Sequence, residues 1–255
     1  MRDRELSLSQ HLQELRRRLL ICVVALVLGT MIAFAFWEEA VELLKRPAQN
    51  LNDGAGVNLI TTQVTEALTT SFKVSLSGGV VLAFPIILYQ VVRFIAPGLT
   101  GREKRLVLLF IPGAMLAFAG GVAFAYFVLT PQALPFLLTF GDEVAEPLVR
   151  LSSLVDVMLR LLFWMGIVFQ TPLIMCLLAQ IGIVRAGAFS RFRRFWLVIA
   201  FVLAAIITPT FDPVNQALVA VPLLVLYEVG ILLARLAGRG RPRSNEAIAP
   251  APEAE

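Results

Sequence analysis

Four stretches of this chain, residues 19–36, 74–92, 106–129 and 161–183, contain no charged side chain and are dominated by apolar residues. A helix needs about 20 such residues to cross roughly 30 Å of hydrocarbon, and each run is near or above that length. A lone strand would leave its backbone groups unpaired in lipid, so all four are expected to be helical. Two further runs are marginal. Residues 195–208 number 14, about 21 Å at 1.5 Å per residue, and residues 217–234 are interrupted by Pro222 and Glu228. Two arrangements stay open for this pair: a bilayer that thins around it, or a re-entrant hairpin about Thr208-Pro209-Thr210-Phe211-Asp212-Pro213. Either returns the chain to the side it left.

Composition agrees with a lipid-facing chain. Hydrophobic residues make up 58% and charged residues 16%, and the mean hydropathy is +0.81, outside the range of ordinary soluble domains. The charges cluster between the apolar runs instead of recurring on every helix face. No polar cleavage site follows the first run, which is therefore expected to persist as a span. Cys22 and Cys176 both lie inside apolar runs and read as small buried hydrophobes. The expected architecture is all-α and polytopic, with residues 1–237 forming one six-helix membrane domain. Residues 238–255, ending in Ala, Pro and Glu, read as a disordered tail.

Orientation follows from Lys and Arg, which concentrate in cytoplasmic loops. The N-terminus holds Arg2, Arg4, Arg16, Arg17 and Arg18; the second loop Arg93, Arg102, Lys104 and Arg105; the fourth loop Arg185, Arg191, Arg193 and Arg194; the tail Arg235, Arg239, Arg241 and Arg243. These are 17 of the 22 basic residues. The alternate loops carry Lys45, Arg46, Lys73, Arg150 and Arg160 beside Glu38, Glu39, Glu42, Asp53, Asp142, Glu143 and Glu146, and are expected outside. Both termini then fall on the cytoplasmic side. The net charge of +4 is thus a topology signal, and nucleic acid is not an expected partner. In the outer loops, residues 37–44 and 148–162 have amphipathic spacing and are expected to lie along the interface as short helices.

The residues for catalysis are missing. His11 is the only histidine, which excludes a His-based triad and a multi-histidine metal site. Glu66, Asp212 and Glu228 fall in different segments without ligand spacing. No catalytic residue, metal or cofactor is expected.

The polar features that stand out lie on the expected cytoplasmic face. Ser7 and Gln10 have capping-box spacing, and Leu8, Leu12, Leu15 and Leu19 follow at helical intervals, so residues 9–20 read as an amphipathic helix entering the first span. Glu14 within it has two readings: a helix pair with Arg17 or Arg18, or a binding carboxylate. Glu103, between Arg102 and Lys104, reads either as a solvated loop acid among ordinary cytoplasmic charges or as a binding carboxylate. By residue type alone, the plainer reading leads for both.

Several stretches over residues 8–236 resemble the TatC family. They include His11-Leu12-Gln13-Glu14-Leu15-Arg16-Arg17-Arg18-Leu19, then Pro47, then Glu66-Ala67 on to Phe72-Lys73-Val74-Ser75. The most specific is Phe84-Pro85-Ile86-Ile87-Leu88-Tyr89-Gln90 on to Phe94-Ile95-Ala96-Pro97-Gly98-Leu99 and Glu103-Lys104-Arg105. Ala123-Phe124-Ala125-Tyr126-Phe127, Thr208-Pro209 with Asp212, and Tyr227-Glu228-Val229-Gly230 complete it.

The resemblance implies a concave, glove-like six-helix protein of the bacterial inner membrane that binds twin-arginine signal peptides of folded cargo. Implied partners are single-span TatA-type and TatB-type proteins and other copies of the chain, with transport driven by the proton-motive force. Glu14 and Glu103 would receive guanidinium groups through paired charge-assisted hydrogen bonds that lysine does not reproduce. Arg16, Arg17, Arg18, Arg102, Lys104 and Arg105 would position these acids, and Phe94, Pro97 and Leu99 would offer apolar contact. Partner-binding or structural roles would fall to Pro47, Lys73, Pro85, Gln90, Tyr126, Gln170, Pro172, Pro209, Asp212 and Glu228. Lys73, Gln90 and Glu228 also sit near expected helix ends, where snorkelling accounts for them equally. The chain departs from the family at Gln170, where a glutamate is common. A neutral amide does not ionise, so it serves as a hydrogen-bonding group to a partner, to water or to a neighbouring helix.

The rival class is a small-solute secondary transporter, which would place broken helices or paired ionisable groups near the midplane of two related halves. Pro112-Gly113, Pro172 and Pro222 do not fall at matching places in two halves. A membrane scaffold without a ligand is the third reading.

Overall fold

The computed structural model describes residues 8–49, 59–95, 101–139, 148–184, 186–208 and 212–238; for 8–10, 95, 101–107, 109, 138–139, 186 and 238 only the backbone is described. Ser7 and the expected tail beyond Gly238 lie outside the described residues. The elements are α1 Leu8–Ala35, α2 Trp37–Gln49, β1 Leu59–Ile60, α3 Glu66–Ile95, α4 Gly101–Phe124, a π-helical turn Ala125–Leu129, α5 Thr130–Thr139, β2 Val149–Arg150, α6 Leu151–Val168, α7 Thr171–Ile181, α8 Ala186–Ile207 and α9 Pro213–Gly238. Among the described residues, five stretches are long and apolar enough to cross a membrane: His11–Ala35, Glu66–Phe94, Phe110–Leu137, Leu151–Ile181 and Pro213–Ala237. α8 is not among them, because Arg191, Arg193 and Arg194 occupy its first half.

Several boundaries differ from the sequence-based expectation, each for a backbone reason. α3 starts at Glu66, eight residues before the uncharged run, since nothing between Glu66 and Val74 stops a helix and Glu66 itself suits a first turn. The expected interfacial helix 148–162 and the span 161–183 do not divide where expected. α6 runs unbroken across the expected boundary near 161, and the interruption falls at Phe169 and Gln170. Pro172 causes it: without an N–H it cannot bond the Val168 carbonyl four residues back, and Gln170 N instead bonds Ile167 O at 2.9 Å. α7 ends at Gly182, whose φ of 86° suits a glycine at a left-handed helix terminus. Gly182 N and Ile183 N both bond Leu178 O at 3.1 Å there.

α4, the π turn and α5 make one continuous rod. At its wide turn, Thr130 Oγ1 donates to Ala125 O five residues back at 2.8 Å. β1 pairs in parallel with β2, Leu59 with Val149 and Ile60 with Arg150, tying two loops 90 residues apart in sequence. Two-residue strands leave no periodicity to read.

α1 packs antiparallel on α3 through small residues. A Cβ on Gly79 would stand 2.6 Å from Thr30 N and 2.7 Å from Thr30 Cα, and one on Gly29 would stand 2.8 Å from Gly79 O. The backbones thus touch directly, as apolar helices in lipid do when packing must come from close approach. α4 crosses α6 in the same way, with Gly121 against the Met165 carbonyl. The main core joins the π turn, α6, α8 and α9 through Leu129, Leu161, Met165, Ile207, Val219 and Leu223. A second core joins α2, α3, α5 and α6 through Val41, Leu44, Val74, Leu134, Val155 and Met158. α9 runs parallel to α7, with Gly230 on Met175 and Pro172, and antiparallel to α8, with Arg193 on Glu228 and Gln216 on Phe201.

These pairings gather the start of α1, the end of α3, the end of α7, the start of α8 and the end of α9 at one end of the molecule. Arg16, Arg17, Arg18, Arg93, Arg191, Arg193, Arg194 and Arg235 all lie on those segments, making this the basic end. Gly79→Leu is expected to force α1 from α3 and to lower stability in detergent by about 1–3 kcal/mol. Gly120→Leu, whose Cβ meets nothing within 4 Å, should change the melting curve by less than about 0.5 kcal/mol.

Candidate functional site

At the basic end, the α1–α3 register places three polar side chains from the two helices together. Arg18 Nε donates to Glu14 Oε1 at 3.1 Å, and Arg18 Nη2 donates to the same oxygen. Arg18 Nη1 reaches across to Gln90 Oε1 at 3.2 Å. Glu14 and Arg18 lie four apart and so share a helix face, while Gln90 comes from 72 residues later. The pair is shielded: the Arg18 side chain is 14% exposed and that of Glu14 25%. His11 stacks on Phe94 with ring centroids 4.5 Å apart, and Arg93 lies 5.9 Å over the Tyr89 ring. Arg16 and Arg17 are exposed. Glu103 falls in the first turn of α4 and Arg105 in its second; their side chains, with all of Pro97 and Leu99, lie outside the described residues. The structure therefore unites Glu14, Arg18 and Gln90 and puts Phe94 against His11.

The opposite end holds a carboxylate whose partners sequence spacing did not reveal. Glu66 is 2% exposed. Its Oε2 accepts from Thr62 N at 2.8 Å, Thr62 Oγ1 at 3.4 Å and Gln63 N at 3.4 Å. Its Oε1 accepts from Ser152 N at 3.0 Å and Ser152 Oγ at 2.7 Å, and Arg150 Nη2 stands 3.5 Å from Oε2. One side chain thus fixes the loop before α3 and the start of α6 beside the β1–β2 pair. The two halves of this cluster lie 86 residues apart.

Pro47 and Tyr126 act on one atom. Pro47 has no N–H for the Leu43 carbonyl four residues back, and Tyr126 Oη donates to that carbonyl at 2.9 Å. Asp212 precedes the first residue of α9, Pro213, and its Oδ1 accepts from Asn215 N at 2.7 Å, a helix N-cap with proline in the favoured first position. Pro209 lies outside the described residues. Lys73 and Glu228 are ion-paired rather than simply extended toward water: Lys73 Nζ lies 2.8 Å from Asp156 Oδ1, and Arg193 Nε 2.7 Å from Glu228 Oε1.

Gln170, 9% exposed, donates from Nε2 to Ala114 O at 3.1 Å and Gly166 O at 3.4 Å, bonding the neighbouring α4. It borders a groove of about 150 Å³ with Leu88, Val92, Phe110, Ala114 and Leu173. A second groove of about 460 Å³ includes Val81, Phe84, Pro85, Met115, Phe118 and Tyr126. Phe84 borders both grooves and stacks on Phe118 at 3.9 Å. Among the described residues no group of three or more His, Cys, Asp or Glu converges on a metal site.

The family model of the Sec-independent protein translocase protein (TatC) matches residues 10–222. The chain is 40% identical over 244 residues to the Sec-independent protein translocase protein TatC of Aquifex aeolicus (strain VF5), which covers 95% of this chain and 100% of that one. It is 37% identical over 237 residues to the chloroplastic TATC of Arabidopsis thaliana, covering 93% and 68%. A crystal structure of the twin arginine translocase receptor TatC matches with a TM-score of 0.80 at 40% identity, covering 89% of this chain and 99% of that chain.

Glu66→Ala is expected to strand the Ser152 and Thr62 donors and release the loop before α3. The apparent melting temperature in detergent should fall by about 5 °C or more, while Lys73→Ala, which breaks an exposed pair, should change it little. Similar curves for the two variants would remove the structural role given to Glu66.

Proposed function

The chain belongs to the TatC family of Sec-independent protein translocases, and on that premise we propose that it is the receptor of twin-arginine signal peptides on folded proteins and the nucleus of their translocation complex. The observation that carries this reading is Glu14, a shielded carboxylate at the basic end that already receives a forked guanidinium. A site able to hold Arg18 has the chemistry to hold an arginine of a signal, since a guanidinium presents parallel donors and an ammonium presents a point charge. Glu103 is the second address, and Phe94, Pro97 and Leu99 supply the apolar contact beside it. Arg16, Arg18 and Arg105 repel misplaced cations. No covalent step is involved, and neither a metal nor a cofactor is needed.

The coarser statements stand independently: this is a multi-pass membrane protein of a translocase family. The finer proposal places it in a bacterial inner membrane with the basic end cytoplasmic and both termini there. Residues 1–237 act as one concave unit, and 238–255 as a tail. After capture, the apolar part of the signal inserts along the helices, TatA-type and TatB-type single-span proteins and further copies of the chain assemble, and the proton-motive force drives transport. The short uncharged part of α8 thins the bilayer. Gln170, Pro85 and Pro172 shape the grooved face, on which a partner helix or the signal lies. The secondary-transporter alternative finds no support in the family match.

Binding of a twin-arginine signal peptide to the purified protein in detergent provides the test. Glu14→Gln, Glu103→Gln and a Lys-Lys peptide are each expected to weaken binding at least tenfold. Equal affinities throughout would sink the site assignment.

A further inference from the structure

Resting on the receptor reading above, we infer that Arg18 is a resident occupant of the arginine site: its guanidinium fills Glu14 until a signal arginine displaces it, and it thereby sets the selectivity of the site. Three observations place it in that role. Arg18 spends two donors, Nε and Nη2, on the single oxygen Oε1 of Glu14. Oε2 of the same carboxylate makes no bond among the described residues, and it is the oxygen that Arg18 leaves for an incoming guanidinium to dock on first. The third donor group, Nη1, is held by Gln90 on α3, which gives Arg18 a place to remain when Glu14 is taken from it.

The exchange is balanced in donors and charge. Before binding, Glu14 carries one guanidinium through one oxygen. Afterwards it carries the ligand guanidinium through both oxygens, and Arg18 keeps Gln90 and turns its freed donors toward water, which its partial exposure allows. A lysine fails at the first stage. It offers a compact, strongly hydrated charge that cannot span both carboxylate oxygens in a fork, so it does not outcompete the resident guanidinium. Selectivity then arises from competition against an internal arginine as well as from the fit of the ligand. The residue is a specificity-setting group, with Gln90 as its anchor.

The test measures binding of twin-Arg and twin-Lys forms of one signal peptide to the detergent-purified full chain and to Arg18→Gln, Glu14→Gln and the double variant. Emptying the site should raise twin-Arg affinity at least threefold and twin-Lys affinity by more, so that the Arg-over-Lys ratio falls. The gain should vanish in the double variant. A merely structural Arg18 would instead lose affinity for both peptides with the ratio unchanged, which overturns the inference, as does a gain that survives in the double variant. Gln90→Leu, which retains both Glu14 and Arg18, gives a second readout if Arg18→Gln does not fold: without the bond that holds Arg18 once Glu14 is taken, twin-Arg affinity should fall while twin-Lys affinity stays, and an unchanged Arg-over-Lys ratio counts against the proposal. The two layers separate cleanly. If Glu14→Gln leaves wild-type binding intact, the receptor site itself is misplaced and this inference falls with it; if Glu14→Gln weakens binding and Arg18→Gln brings no gain, only the resident-arginine role fails.

Discussion

Backbone amides and carbonyls within hydrocarbon have no water to bond, and an unpaired group there costs several kcal/mol. That requirement makes the long apolar runs helical, and it also bears on the side chains found at three irregular points in the helices. Pro47 frees the Leu43 carbonyl and Tyr126 bonds it. The π turn before Thr130 sends Ala125 O to a threonine hydroxyl. The break before Pro172 places Gln170 where its amide bonds carbonyls of α4 and α6. Tyr126 is thus the partner of a carbonyl that proline left open, and Thr130 and Gln170 add side-chain bonds where the helical ladder widens or breaks.

Close approach is the second constraint. Lipid offers no hydrophobic gain for bringing two apolar helices together, so α1 and α3 meet where Gly29 and Gly79 let the backbones touch. The contact fixes the antiparallel register of the hairpin, and the register brings Gln90 to Arg18 and Phe94 to His11. The chemistry of the basic end is thus set about three to five turns away, in the middle of the helix pair. At the other end, Glu66 performs the corresponding task for the loops, where it joins the approach to α3 with the start of α6.

Much of the fold was legible because it rests on local properties. Uncharged runs, their lengths and the placement of arginines are one-dimensional quantities: α3 and α9 contain the expected stretches, α1 all of its stretch but Phe36, and α4 together with the π turn the stretch 106–129. Boundaries were less legible. The division expected near residue 161 does not exist, because neither composition nor charge at that point interrupts hydrogen bonding, whereas the Pro172 imide does. The strand pair was unreadable, since two residues carry no period. Of the candidate site, Glu14 and Arg18 were readable as a pair from their spacing of four. Their tie to Gln90 was not, and neither was the cluster around Glu66, because partners 72 and 86 residues away leave no mark in any local window.

By itself the sequence determined that this chain lives in a membrane, that its spans are helices, where its positive charge gathers, and which family its ordered motifs belong to. These follow from hydropathy, backbone satisfaction and residue order, all of which are properties of short segments. The tertiary structure decided which carboxylate holds which cation, which carbonyl a tyrosine or glutamine serves, and which oxygen of Glu14 Arg18 occupies. Those depend on the register of helices packed at their glycines, and register is a property of two segments together that neither segment states alone.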